Sequence, residues 1–333
     1  PCHVAVYENE QLSAALPLYA KYNSYGEFVF DHSWADAYQR TGHAYFPKLV
    51  SAVPYTPARG QRLLCKPGDE KRMYPLITRY LQEFCEAKGL SGFHILFPQD
   101  NEIDILQSQE CFLRHDCQYH WFNNNYADFS EFTSQLISRK RKNIRRERQA
   151  VQNADVTLRR LNGHTASSRD WADFAVFYNR TFEEKWGMAT FNLGFFEEIG
   201  RTLPDNVLLV LADKDDHCIA GSLMYVSDKT LYGRHWGCIE QVDQLHFEAC
   251  YYQGIEFCIE KGLQVFEPGA QGEHKIARGF VPVMTRSAHW LRSDHLQNPV
   301  KDFCRHEKQG VEQYMQQLEK KVPFKRAENE TLC

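Results

Sequence analysis

Two octapeptides constrain the fold more than any other feature of the chain. Glu83–Leu90 reads EFCEAKGL and Glu256–Leu263 reads EFCIEKGL, identical at six of eight positions and 173 residues apart. Ahead of the first, Ile77, Tyr80, Leu81 and Phe84 fall at three- and four-residue spacing, as on the apolar face of a helix. The glycine then stops the helix, because it alone adopts the left-handed conformation there at little cost. A strand pattern follows each copy, with Phe93 and Phe266 keeping the same offset. A helix, a glycine stop and a returning strand, written twice, point to a duplicated unit. Upstream, an apolar strand leads into Tyr25-Gly26 and Tyr232-Gly233, which gives the first copy 34 extra residues.

At 333 residues the chain has room for about two domains. The expected halves are 1–117 and 118–333, each an antiparallel sheet with a helix and a returning strand. In the first, His3–Glu8 and Ala14–Tyr19 pair around Asn9-Glu10, and Glu27–Phe30 is a third strand. Trp34–Arg40 is a short helix. Pro47, Pro54, Pro57 and the Gly60 and Gly68 turns predict a long ordered loop up to Pro67. Pro75 suits the first turn of a helix running to Lys88, and Gly92–Phe97 is the strand beyond it. Asp100, Glu102 and Asp104 favour a helix first turn. Cys111–His120 carries two Cys and two His, but outside zinc spacing, so a strand is expected.

In the second half, residues 129–152 read as one helix capped by Asp128. Seven of the ten residues from Arg139 to Arg148 are basic, while Ile137, Ile144 and Val151 form only a narrow apolar seam. Arg141, Arg145 and Arg148 lie at three-to-four spacing, and they suit a phosphate rail or an ordinary solvated face. Trp171–Trp186 is an aromatic helix, and three strands follow over 206–236. His246–Lys261 is the repeated helix, Gln264–Phe266 its returning strand, Thr285–Leu291 a last strand, and the chain beyond Pro299 a charged helix.

Composition narrows the classes. No run of about 18 apolar residues exists, so no membrane span is expected. A net charge of −4 excludes a uniformly basic nucleic-acid binder. The 11 cysteines include no Cys-x-x-Cys, which predicts a reduced, cytoplasmic protein without a metal site. The chain passes from Pro1 straight into a strand pattern, as if the first domain were cut into. Leu231 to Phe280 holds seven of the 19 glycines and mixes ionisable residues with aromatic ones, one by one. That pattern suits the wall of an active or binding site.

The strings YGEFVFDHSWADAY, YFPKLVSAVPYTP, LYGRHWG, LHFEACYYQGIEF and EPGAQGEHKIARGF resemble the FemAB-like family of N-acyltransferases. SRKRKNIRRER resembles the basic helix that enters the second domain of Fem-type peptidoglycan aminoacyltransferases. The resemblance implies two GCN5-related N-acyltransferase-like halves in tandem, an α/β fold with mixed, mostly antiparallel sheets and flanking helices. It also implies that the first half lacks its opening elements. The implied activity moves an acyl or aminoacyl group from acyl-CoA or aminoacyl-tRNA, as co-substrate, to an amine on a peptidoglycan-related or peptide substrate. The glycine-rich turn that cradles pyrophosphate in acetyl-CoA enzymes of this fold is missing from GCIEQVDQLHFEACYY, which speaks against ordinary CoA binding. Such chemistry needs a base, for which His246, Glu248, Glu267 and Glu273 are candidates. Tyr232, Arg234, His235, Trp236, Tyr252, Gln271, His274, Lys275 and Arg278 are candidates to hold substrate, and Arg141, Arg145 and Arg148 a polyanion such as tRNA. The rival reading is a non-catalytic pseudo-acyltransferase that binds a cell-wall precursor or RNA.

Overall fold

The computed structural model describes residues 1–184 and 187–325. The chain separates into two units, Pro1–Gln118 with Val283–Gln317, and Tyr119–Pro282 with the remainder. The halves expected from sequence would have left 283–317 in the second unit.

The first unit opens with β1 (Val4–Glu8) and β2 (Gln11–Leu16), paired around Asn9 and Glu10, both at positive φ. After β3 (Tyr19–Lys21) the expected strand over 27–30 does not form, and Phe28 turns with φ 57°. Helix α1 (His32–Arg40) follows, then β4 (Lys48–Ser51), fully buried inside what was expected to be loop. Beyond β5 (Leu64–Cys65), α2 runs over Glu70–Lys88, so Pro75 lies in its second turn rather than its first. Next come β6 (Gly92–Leu96), α3 (Asp100–Ser108) and β7 (Phe112–Phe122).

In the second unit the expected single basic helix is two. Helix α4 (Phe129–Ser134) starts on Asp128, whose side chain accepts from the Glu131 N–H at 2.7 Å. Helix α5 (Ser138–Asn153) restarts after a break at which Leu136 bridges to Phe324. Then follow β8 (Thr157–Leu161), α6 (Ser168–Glu184) and α7 (Leu193–Thr202). Trp186, at the end of the expected aromatic helix, lies outside the described residues. The meander has four strands: β8, β9 (Val207–Lys214), β10 (His217–Val226) and β11 (Thr230–Cys238). The repeated helix comes in pieces: α8 (Leu245–Phe247), a π-helical turn over Glu248–Tyr252, and α9 (Gln253–Lys261). Strand β12 (Val265–Glu267) and a 3₁₀ turn (Glu273–Arg278) lead into β13 (Val281–Leu291) and α10 (Asp294–Glu319).

The two octapeptides occupy equivalent places. Gly89 and Gly262 both sit at φ 67°. Leu90 N–H bonds Cys85 O, and Leu263 N–H bonds Cys258 O, each at 2.9 Å, closing the same Schellman cap. In each unit the strand after that cap pairs in parallel with an earlier strand, Phe93 beside Leu49 and Phe266 beside Leu231. The strand order carries the same pattern. In the first unit β3 and β4 are antiparallel, β4 and β6 parallel, β6 and β13 antiparallel. In the second, β10 and β11 are antiparallel, β11 and β12 parallel, β12 and β7 antiparallel. The counterpart of β11 is therefore β4, and the Tyr25-Gly26 match expected from sequence is superseded. Prolines hid β4, because they flank it without entering it.

Candidate active site in the second unit

Strand β11 is held close on both faces. A Cβ at Gly237 would lie 2.0 Å from the Phe177 carbonyl oxygen of α6, and one at Gly254 of α9 would lie 3.2 Å from the Leu231 side chain of β11 and 2.5 Å from the Phe266 ring of the neighbouring β12. Only glycine permits either approach. The parallel ladder with β12 ends early, at Tyr232 and Glu267, whereas β11 runs on to Cys238. Its other edge stays paired with β10 up to Cys238, with Arg234 as the extra residue of a bulge. From Gly233 onward, β11 therefore has one edge that β12 does not cover. Bulges of this kind re-aim side chains beside sites.

The side chains on this stretch separate by face. His235 packs among aromatic rings, edge-on to Tyr178 at 5.0 Å and to Phe191 at 5.7 Å. Burial, with Arg234 beside it, pulls its pKa down to about 3, so the imidazole is neutral. Burial also lowers the Arg234 guanidinium, to about 10. Trp236 points the other way and meets His246 edge-on at 5.3 Å, and His246 in turn meets Tyr251 at 5.4 Å.

The π-helical turn is pinned by charge. Glu248, 5% exposed, accepts two hydrogen bonds from Arg148, at 3.0 and 3.1 Å, and one from Gln253 at 2.8 Å. Arg148 also bonds Glu256 at 2.6 Å and lies over the Phe129 ring. Next to Arg148 in sequence, Glu147, the single acid of the basic run, takes two hydrogen bonds from Arg278 and one from the Tyr252 hydroxyl. Arg278 also donates to His274 O at 2.8 Å and stacks on Phe247. The His274 ring hydrogen-bonds the Tyr251 hydroxyl at 2.9 Å. Lys275, 2% exposed, donates to Gly269 O at 2.8 Å, and burial pulls its ammonium down to about 8.

The structure thus gathers Trp236, His246, Glu248, Tyr252, His274, Lys275 and Arg278 around the π turn, with Tyr232 opposite Glu267 on the last parallel rung. Gln271 and Glu273 are exposed, and Glu273 lies 3.4 Å from Lys321. The phosphate rail is divided. Arg148 is turned inward to two glutamates, Arg141 reaches Ser134 O at 3.5 Å, and Arg145 stays exposed beside a groove of about 450 Å³. Among the described residues Arg148 is the only one of the seven basic side chains that forms an ion pair. No group of three or more His, Cys, Asp or Glu among the described residues is arranged to hold a metal.

A family model described as peptidoglycan biosynthesis/recognition, FemAB-like, matches residues 1–326. The chain belongs to the FemAB-like family. No curated protein matches it. Among solved structures it is similar to the C-terminal domain of a putative lysylphosphatidylglycerol synthetase from Agrobacterium fabrum. That match has 8% identity and a TM-score of 0.52, and covers 74% of this chain and 78% of that one. FemX matches at 11% identity and TM-score 0.50, with 90% of each chain covered. L-PGS from Bacillus licheniformis matches at 9% identity and TM-score 0.50, over 84% and 83%. At such identities the likeness establishes a shared α/β fold, and this FemAB-like chain shows two similar halves in its repeated strand order.

Several residues gathered around the π turn were not singled out from sequence. Glu147 organises Arg278 and Tyr252, and its place as a lone acid among seven bases was the available signal. Glu256 completes the Arg148 clamp from inside the repeated octapeptide. Tyr251, read as an aromatic of the pocket wall, also holds His274. The inward turn of Arg148 had no local signal, since its partners lie 100 and 108 residues away.

Proposed function

We propose that this FemAB-like protein is an N-acyltransferase, moving an acyl or aminoacyl group from an activated donor to an amine of a peptidoglycan-related or peptide substrate. The observation that carries the reading is the edge of β11 that β12 leaves unpaired beyond Tyr232, beside a bulge at Arg234. Backbone N–H groups along such an edge supply donors for the oxyanion of a tetrahedral intermediate. Glu267, at the last rung before the strands part, is the best-placed candidate among the proposed bases. The amine nitrogen bonds to the acyl carbon, the base takes the nitrogen's proton, and the bond to the leaving thiol or hydroxyl breaks. The leaving group carries the proton away. His246 is the runner-up on the Trp236 face. Glu248 is committed to Arg148 and is a clamp in this reading, and Lys275, its ammonium pulled down by burial, is held on the Gly269 carbonyl.

Acyl-CoA and aminoacyl-tRNA are both donors to be tested. Incubation of the full chain with each donor and a panel of amino acids, muropeptides and peptides, read by mass spectrometry, should give an N-acylated product. Glu267→Gln should lower kcat by roughly 10²–10⁴ while the fold is kept. Saturable donor binding with no product from either donor would refute the enzyme and favour the pseudo-acyltransferase. The observation on that rival's side is that Glu147, Glu248, Arg148 and Arg278 are all consumed in ion pairs.

A further inference from the structure

The first unit contains a buried chain of hydrogen bonds that ends at a pocket. Ser287 Oγ lies 2.7 Å from His289 Nε2, and His289 Nδ1 lies 2.6 Å from His94 Nδ1. His94 Nε2 lies 3.4 Å from the Tyr45 hydroxyl, which donates to Asp31 at 2.5 Å. Asp31 is paired with Lys48, which is completely buried and also bonds Glu27 at 2.8 Å. Burial pulls His94 down to about 3 and His289 well below the usual imidazole range, so each ring carries a single proton.

Those single protons give the chain a direction. Lys48 offsets the burial of Asp31 and holds its carboxyl down at about 2, so Asp31 is ionised and accepts the hydrogen bond that the Tyr45 hydroxyl donates. Tyr45 then has only lone pairs for His94, so His94 must donate from Nε2 and accept at Nδ1. His289 accordingly donates from Nδ1 and accepts at Nε2 from the Ser287 hydroxyl. This is the one tautomer set that gives both imidazoles, the Tyr45 hydroxyl and the Ser287 hydroxyl a partner for each hydrogen bond in the chain, and buried polar groups are paired wherever they can be. Its outcome is that Ser287, with its proton committed inward, offers only an acceptor to the outside.

Ser287 borders a pocket of about 200 Å³. Next to it on the same strand face, Thr285 Oγ1 bonds the Asp116 carbonyl, which brings Asp116 to the pocket wall. One Asp116 carboxylate oxygen accepts the Cys117 N–H at 2.7 Å; the other takes no hydrogen bond among the described residues. Arg286 also lines the pocket, 38% exposed, with Asp100 no closer than 3.7 Å. Arg114 is fully engaged by Glu307 and the Phe30 carbonyl, so it shapes the wall rather than binding. His115, 8% exposed, keeps Nδ1 buried and without a partner among the described residues. A buried polar atom left so costs about 1–3 kcal/mol unless something bound relieves it.

We propose that this pocket of the first unit binds a small zwitterion, a free α-amino acid or the free terminal residue of a short peptide. The ammonium sits between Ser287 Oγ and the open Asp116 oxygen, both acceptors, and the carboxylate lies on Arg286. Val29 and Phe97 give an apolar wall for the side chain. The volume suits one residue and is too small for a nucleotide. The inference does not rest on the reading of the second unit as a transferase.

The test is titration calorimetry of the full chain with glycine, L-alanine and D-alanine, against N-acetyl-L-alanine and L-alanine methyl ester. At least one zwitterion should bind saturably at millimolar concentration, and blocking either charged end should weaken it tenfold or more. Arg286→Gln should weaken it tenfold or more with the circular dichroism melt kept, and Ser287→Ala should weaken it as much with a lowered melt, because it leaves the buried His289 Nε2 unpaired. Should Ser287→Ala fail to fold, Arg286→Gln at its partly exposed position decides alone. Equal affinity for the N-acetyl compound, unchanged affinity in Arg286→Gln, or no saturable binding of any of the three amino acids overturns the proposal.

Discussion

Replacing Glu248 with Gln separates a structural clamp from a catalytic base. In the clamp, Arg148 donates two hydrogen bonds to Glu248 at 3.0 and 3.1 Å, and a third to Glu256 at 2.6 Å. A hydrogen bond to a charged group contributes about 1.5–3 kcal/mol. Breaking a fully buried pair from one side costs about 3–5 kcal/mol. Arg148 is 24% exposed on its side chain and keeps Glu256, so the lower end applies. We expect Glu248→Gln to cost about 2–3 kcal/mol. Arg148→Gln should cost more, because it strands a buried carboxylate with Gln253 as its remaining partner. The double variant should lose less than the sum of the singles, by roughly 1–2 kcal/mol of coupling. Urea unfolding of the four proteins measures this directly. Two results would refute the reasoning: a midpoint unmoved by Glu248→Gln, or strictly additive costs. If such a stable variant also abolished transfer activity, Glu248 would be the base after all.

Two further outcomes follow from the second unit. Lys275 has a folded pKa near 8, below its ordinary value of 10.5, so between those values the unfolded chain holds the extra proton and stability rises with pH. The rise should be on the order of 3 kcal/mol and should vanish in Lys275→Met; equal alkaline profiles for the two proteins would exclude it. If the outward-facing part of the basic helix guides a polyanion, Arg141→Ala with Arg145→Ala should flatten the log affinity versus log salt slope for tRNA. Removing one arginine–phosphate interaction should change that slope by about 0.7–0.9. Arg148→Gln should instead lower stability and leave the slope unchanged; the reverse pattern would refute the division of that helix.

How much of this was legible from sequence depended on the range of the interaction. Short-range signals carried through: the left-handed glycines at 89 and 262, the Asp128 cap and the strand after each stop are decided within a few residues. The duplication was legible because its mark is a helix end, where a backbone requirement fixes the residue type. What failed had its cause elsewhere. Strand β4 is four residues long, too short to show a period, and it is a strand because β3 and β6 flank it. Glu102 read as a helix first-turn acid. That reading holds, since Glu102 lies in the first turn of α3 and caps it through the Gln99 amide, but it is also wholly buried and accepts from the Arg62 and Leu63 amides and the Tyr74 hydroxyl. No local pattern announces a carboxylate whose partners lie up to 40 residues away.

The same distinction explains the polar stretch at 231–280. Read as a sequence, its ionisable residues interleaved with aromatics indicate a pocket wall, and the structure does place many of them around one turn. Yet the charges there largely neutralise one another: Glu248 with Arg148, Arg278 with Glu147. Those partners come from α5, so the basic helix and the pocket wall, which looked like two separate features, are two sides of one clamp. A π-helical turn places an extra residue in its helix, and here it is the segment that Arg148 and Glu147 hold down. Charge on this scale, taken out of water and paired, is a weak source of net stability. Its value to the fold is register: it sets where the turn lies against β11, and hence the shape of the uncovered strand edge on which the proposed chemistry depends.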